Sequence, residues 1–278
     1  MISGNNQRLS FSGLFSVYYH SLFNYPLGEM ELIKWEAGAS CGQYILPDFE
    51  IESKAGQYFL KGKEGLIYKK KKRERISQRK IEIASKGIKV LKMIPTIKFI
   101  GLTGALAMKS ADSDSDIDLL LICQKGYLWT SRLVAIFLLK LFNIPIRRFG
   151  QKSQNNKLCL NMWLDGTSLS WPKNQRNVYT AHEISQIIPL INKNHTYEHF
   201  LWQNTWIKSF WPNATRIRKI GSLKPQKIDG LGIIETLARK LQYGYMRPKI
   251  TRETVTKTRA IFHPRDWSAR VLGSFKDK

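Results

Sequence analysis

Hydrophobic residues change their spacing several times along the chain, and each change marks an element. Leu14, Val17, Tyr18 and Leu22 fall on one helical stripe within residues 11–23, which Asn24-Tyr25-Pro26 stops, and Glu29 to Trp35 reads as a second short helix. Residues 51–54 and 57–60 flank Lys54-Ala55-Gly56 as a hairpin with a glycine turn. From Gly65 to Leu91 the period is helical again, through Ile76, Ile81, Ala84, Ile88 and Leu91. Ile97, Phe99 and Ile100 then lead to Gly101, and Ile117 to Ile122 is a second strand-like run. Leu128 to Phe142 reads as a buried crossover helix, and residues 145–149 and 157–164 as further strands.

Beyond this core the pattern predicts a helix over 179–190, capped at Thr180 with Glu183 completing a capping box, and His182 exposed in its first turn. Aromatic residues between Tyr197 and Trp211 make a helical packing unit, Leu231 to Tyr245 is an amphipathic helix, and 247–252 and 261–267 are loops. The pattern reads as an α+β class, with strands and helices over 93–170, preceded by a winged-helix-like segment (1–64) and a basic linker helix (65–92), and followed by a helical, basic region (171–278). Between Cys41 and Asp48, Gly42 and Pro47 leave little room for a recognition helix, so the first segment reads as a packing or interaction module rather than a sequence-specific DNA reader.

Charge narrows the partners. Lys and Arg number 45 against 21 Asp and Glu, a formal net charge of +24. Such a field favours polyanions, RNA above all. It is concentrated in residues 61–89 and again in 216–278. The three cysteines, Cys41, Cys123 and Cys159, are widely spaced with no Cys-x-x-Cys pair, which argues against zinc and against a disulfide framework and suits a reducing cytoplasm. No apolar run approaches the ~20 residues of a membrane span, and no secretory leader is evident.

Against this basic background, four of the nine aspartates fall within residues 112–118. Asp112 and Asp114 read as solvated surface residues. Asp116 and Asp118 are different: strand alternation turns both to one face while Ile117 and Leu119 turn to the other. Two carboxylates on one face beside a small-residue turn, Thr103-Gly104-Ala105, suit a hard divalent cation that carries a phosphate.

In these residues the chain resembles the DNA polymerase β type nucleotidyltransferase superfamily, whose mark is Gly-Ser, a bend, and Asp-x-Asp on the next strand. Gly104-Ala105 stands for the first and Asp116-Ile117-Asp118 for the second, and Asp114 to Leu119 is most similar to the minimal bacterial and archaeal members. The resemblance implies a nucleotidyltransferase core over 93–170 built on a small mixed β-sheet with helices, catalysis and metal binding by Asp116 and Asp118 with Mg²⁺ (or Mn²⁺), and NTP held at Thr103, Gly104 and Ala105. It also implies a third carboxylate on a neighbouring strand. Asn161 aligns there, with Asp165 on the same face about 13 Å further along at ~3.3 Å per residue. An amide brings neither charge nor a proton acceptor, and Ala105 lacks the serine hydroxyl. The expected activity is therefore Mg²⁺-dependent transfer of NMP to an unidentified hydroxyl on RNA, tRNA or protein. The alternative is a catalytically weak or inactive transferase-fold regulator that binds nucleic acid.

Overall fold

The computed structural model describes residues 9–148, 153–219, 232–250, 253–262 and 266–275. Its elements divide between two sheets. The first begins with α1 (Phe11–Ser21), N-capped where Ser10 Oγ accepts from the Gly13 N–H, and continues through β1 (Leu27–Gly28) and α2 (Glu29–Lys34). A single 3-10 turn, Ala39–Gln43, precedes the hairpin of β2 (Ile51–Lys54) and β3 (Gln57–Leu60). The strands pair in the antiparallel order β1-β3-β2. Helix, helix and hairpin follow in the expected order, with the unexpected two-residue β1 between the helices, and no α-helix lies between Cys41 and Asp48, where a DNA-reading helix would lie.

α3 (Gly65–Lys92) is a 28-residue helix whose inner stripe, Leu66, Lys70, Ser77, Lys80, Ala84, Gly87, Val90 and Leu91, repeats every three to four residues. Two lysines on that stripe are buried. Lys70 Nζ donates to Pro26 O and Gln57 Oε1, both at 3.0 Å, and to Glu31. Gly87 lets the helix close on the second sheet, since a Cβ there would meet Leu158 Cδ1 at 2.3 Å.

The second sheet is mixed. β4 (Ile97–Leu102), the one-turn α4 (Gly104–Ala107), β5 (Ile117–Cys123), α5 (Leu128–Leu141) and β6 (Leu158–Asp165) follow α3. Then come α6 (Val178–Ser185), β7 (Ile188–Asn192), α7 (Thr196–Gln203), α8 (Gly232–Met246), β8 (Thr254–Val255), β9 (Arg259–Ile261) and α9 (Trp267–Leu272). The strand order is β7-β4-β5-β6-β9-β8, with β5 and β6 parallel across the α5 crossover and every other pair antiparallel. Ile117, Leu119 and Leu121 join one core beneath α3, α5 and α8. Leu120 and Ile122 join the other, which also contains Phe15, Tyr19, Trp35 and Trp211. The N-terminal segment thus shares a core with one face of the second sheet.

Several sequence expectations change. Pro145 to Phe149 contributes one bridge, Ile146 to Leu158, and Phe149 lies outside the described residues. The helix expected over 179–190 starts at Val178, is capped by Asn177, and stops at Ser185. Ile188–Asn192 instead pairs with β4 as an edge strand, where Pro189 is tolerated because there is no outer strand for its missing N–H to serve. The outer face of α5 is exposed at Leu133, Val134, Phe137 and Leu141, so this crossover helix is buried on one side only. Residues 259–261, flanking an expected loop, extend the sheet as β9, and Trp267 opens α9 instead of pinning a loop. The positions 251–252 and 263–265 of those expected loops lie outside the described residues.

Candidate metal and nucleotide site

The site forms where β5 begins. Asp116 precedes the strand and Asp118 lies on it, and the turn after β4 folds directly over the second carboxylate. Gly104 makes that approach possible: its φ is +64°, and a Cβ would sit 2.9 Å from Asp118 Oδ2. An L side chain fits neither the dihedral nor the space. Thr103 is buried, and its N–H donates to Asp118 O at 3.0 Å. That amide is therefore committed to the backbone and is not free for a phosphate, which leaves the Gly104 and Ala105 end of the expected nucleotide turn.

Opposite Asp118, the parallel register places Cys159, and a register shift follows between Asp118 and Leu120. The shift reverses the alternation of β6. Leu158, Leu160 and Trp163 face one core, while Met162 and Leu164 pack against the other. Asn161 keeps the face of Asp118, its Nδ2 donating to Asp118 Oδ1 at 2.9 Å. Asp165 does not share that face, contrary to simple counting, because the extra residue flips every side chain beyond it. Its carboxylate instead accepts from the Gly126 N–H (2.6 Å), the Thr167 N–H (2.9 Å) and the Thr167 hydroxyl (2.6 Å).

Three residues outside the expected set lie at the site. Arg147 Nη1 lies 2.8 Å from Asp116 Oδ2 and 3.3 Å from Cys159 Sγ. Cys159 itself groups with Asp116 and Asp118, their ligand atoms all within 4.8 Å of one another. Glu183, on α6, is no capping residue; it accepts from Gln186 Nε2 at 2.6 Å and is near enough to feel the charge of Asp118. Its neighbour His182 is buried rather than exposed, its Nε2 3.2 Å from His20 Nε2 and its ring stacked on Trp35. Counting by twos back from Asn161 would have flagged Cys159; nothing local in sequence points to Arg147 or Glu183.

Electrostatics follow from this crowding. Burial, and then the charge of Asp116, push the Asp118 carboxyl up to about 7, while the Cys159 thiol, Arg147 and Asn161 restrain the rise. Burial, and then Asp118, raise Glu183 to about 8. Burial and both aspartates also raise the Cys159 thiol far above its ordinary value. Two carboxyls facing one space cannot both ionise cheaply without a cation between them.

α3 holds the acidic loop in place. Arg73 pairs with Asp112 at 2.9 and 3.2 Å, and the Ala111 N–H donates to Ser77 Oγ at 3.1 Å. Lys80 Nζ donates to Ser113 O (2.9 Å), Ser115 O (2.8 Å), Asn155 Oδ1 (3.2 Å) and Asn156 Oδ1 (2.9 Å). One ammonium thus ties the approach to β5 to the approach to β6. Compared with protein-family models, with curated proteins and with solved structures, the chain matches none. On their own, the fold and the site define an α+β protein with an Asp-Asp-Cys group able to hold a metal ion, and among the described residues no helix is long and apolar enough to cross a membrane.

Proposed function

We propose that the protein is a divalent-cation-dependent nucleotidyltransferase in which a hydroxyl on RNA, tRNA or a protein attacks the α-phosphorus of an NTP, taking the nucleoside monophosphate while pyrophosphate leaves. The observation that carries this reading is the meeting of Asp116 and Asp118 with a left-handed glycine turn that only a Cβ-free residue can bring so close. The residues fit a divalent cation: the pair is destabilised as it stands, and Asn161 Oδ1 is buried beside it without a hydrogen-bond partner. Asp116 and Asp118 would hold Mg²⁺ or Mn²⁺, which when bound offsets the triphosphate charge and polarises the reacting phosphoryl group. The Gly104 and Ala105 amides serve the phosphates, since Ala105 offers no hydroxyl. Asn161, standing where a third carboxylate is expected, cannot take a proton, so activation of the attacking hydroxyl is weak.

The test is transfer of label from α-labelled NTPs to RNA or to protein with Mg²⁺ or Mn²⁺. Asp116→Ala is expected to cut transfer by at least about a hundredfold and to weaken NTP binding. No transfer with any NTP, together with equal NTP binding by wild type and Asp116→Ala, removes the reading.

One observation favours a second reading, an idle transferase core in a nucleic-acid-binding regulator. Arg147 already neutralises Asp116, and the outer face of α3 exposes Lys69, Lys71, Lys72, Arg75, Arg79, Lys86 and Lys89. It requires RNA binding that falls steeply with salt and is untouched by loss of both aspartates.

A further inference from the structure

Beside the two carboxylates that would suit Mg²⁺ or Mn²⁺, the donor set includes a sulfur that a magnesium site does not use. Mg²⁺ takes oxygen and dehydrates reluctantly, whereas a sulfur donor shifts affinity toward zinc, cobalt and cadmium. Here Cys159 stands directly across the parallel strand pair from Asp118, and its Sγ lies within 4.8 Å of a carboxylate oxygen of each aspartate. The edge of a tetrahedral zinc site with these donors is about 3.5 Å, so the three need to close by no more than ~1.3 Å.

Two independent observations point to a cation at this place. Asn161 is 6 % exposed, and with its Nδ2 committed to Asp118 its Oδ1 is left buried without a partner. A buried acceptor is rarely left so, because the loss of its water is uncompensated. The second is Arg147. Its Nη1 bridges Asp116 Oδ2 at 2.8 Å and Cys159 Sγ at 3.3 Å, so a positive nitrogen already sits between the oxygen and the sulfur. The Arg147 side chain keeps 29 % of its surface exposed and has a route to solvent.

We infer that Asp116, Asp118 and Cys159, with Asn161 Oδ1 as a fourth donor, form a site for a thiophilic divalent cation of the zinc class, and that the Arg147 guanidinium occupies it in the metal-free protein. The inference deepens the transferase reading and rests on it for what the ion does, though not for which atoms bind it. Uptake of the ion releases the thiol proton to solvent and frees Arg147 from both partners. The freed guanidinium, its charge no longer spent on Asp116, becomes available to an anionic substrate arriving with or after the ion. The chain then selects its metal through a residue at which a purely oxygen-liganded site would carry nothing.

The experiment titrates the chelator-stripped full chain with Cd²⁺, reading the sulfur-to-cadmium charge-transfer absorption, and measures Zn²⁺, Mn²⁺ and Mg²⁺ affinities by competition with a chromophoric chelator. Wild type shows the band and binds Zn²⁺ at least about a hundredfold more tightly than Mg²⁺. Cys159→Ser loses the band and most of that preference, and Arg147→Gln tightens Zn²⁺ by about tenfold by removing the competitor. Asp116→Asn, which keeps the size of the side chain, also weakens Zn²⁺, and circular dichroism of each variant shows that the fold persists. An absent band, or a Zn²⁺ to Mg²⁺ ratio unchanged in Cys159→Ser, overturns the inference. NTP transfer supported by Mg²⁺ without any thiol signal sinks it and leaves the transferase standing. A Cys159-dependent band with no transfer under any metal upholds the site and sinks the transferase.

Discussion

Asp118 carries a cost that shows in the stability of the protein. Its carboxyl is held up to about 7 and that of Glu183 to about 8 by burial and by neighbouring negative charge. A carboxyl raised in this way stabilises the fold fully below its unfolded value, about 4, and that contribution is lost as the pH climbs through the folded value. Asp118→Asn removes the charge but keeps the shape. The expected outcome in metal-free protein is a melting temperature a few degrees above wild type at pH 8.5 and a much smaller gain at pH 5, together with loss of transfer. Thermal denaturation at the two pH values measures it, at roughly 2–4 °C per kcal/mol for a chain of this size. A site that is less stable than its isosteric variant is one shaped for a ligand.

At the scale of elements, α3 matters less as a charged rod than as the frame for the loop before β5. Lys80 is 2 % exposed and gives its ammonium to four neutral oxygens on two chain segments. Lys80→Met leaves those oxygens without their donor. The expected loss is about 3 kcal/mol, and NTP binding falls with it because the approaches to β5 and β6 lose their shared tie; urea unfolding and nucleotide titration read the two effects. A second prediction belongs to the contact of α1 with α6. His20 Nδ1 lies 2.8 Å from Ser16 O, which fixes Nε2 as the acceptor of the His182 Nε2–H. Burial lowers His20 to about 4 and His182 well below its usual value. The unfolded chain therefore takes up protons that the folded one refuses, and stability from the pair is intact above about pH 6.5 and drops as the pH falls toward 4. His182→Gln, which can still donate to His20, should flatten that acid limb in denaturant melts between pH 7 and 4.

For the whole molecule, the +24 charge and the shared core set the behaviour. Lys71, Lys72, Arg75 and Arg79 lie exposed on α3, along the same helix that supports the acidic loop. Under the nucleic-acid-binding reading proposed above, replacing the four with Gln weakens RNA binding at every sequence tested and lowers the slope of log K against log salt by up to about 3, at ~0.7 for each single-strand phosphate that is no longer neutralised; filter binding across a salt series measures it, and no RNA binding by wild type removes that reading. Thermal stability should stay within about 0.5 kcal/mol of wild type, because these side chains face water.

Much of this was legible from residue order, and the remainder was not, for a physical reason. Apolar periodicity is local, so it located α1, α3, β4, β5 and α8; the paired aspartates and the turn beside them were equally plain, because strand alternation and small-residue turns act over a few positions. It failed where distant contacts outweighed local preference. The expected helix gave up its last residues to an edge strand once β4 offered hydrogen bonds, one extra residue in β6 turned Asp165 away from the site, and two lysines in a cationic run went inside to meet oxygens from elsewhere in the chain. Cys159, Arg147 and Glu183 reach Asp116 and Asp118 from separate elements, and what converges in space from such separations is set by packing alone.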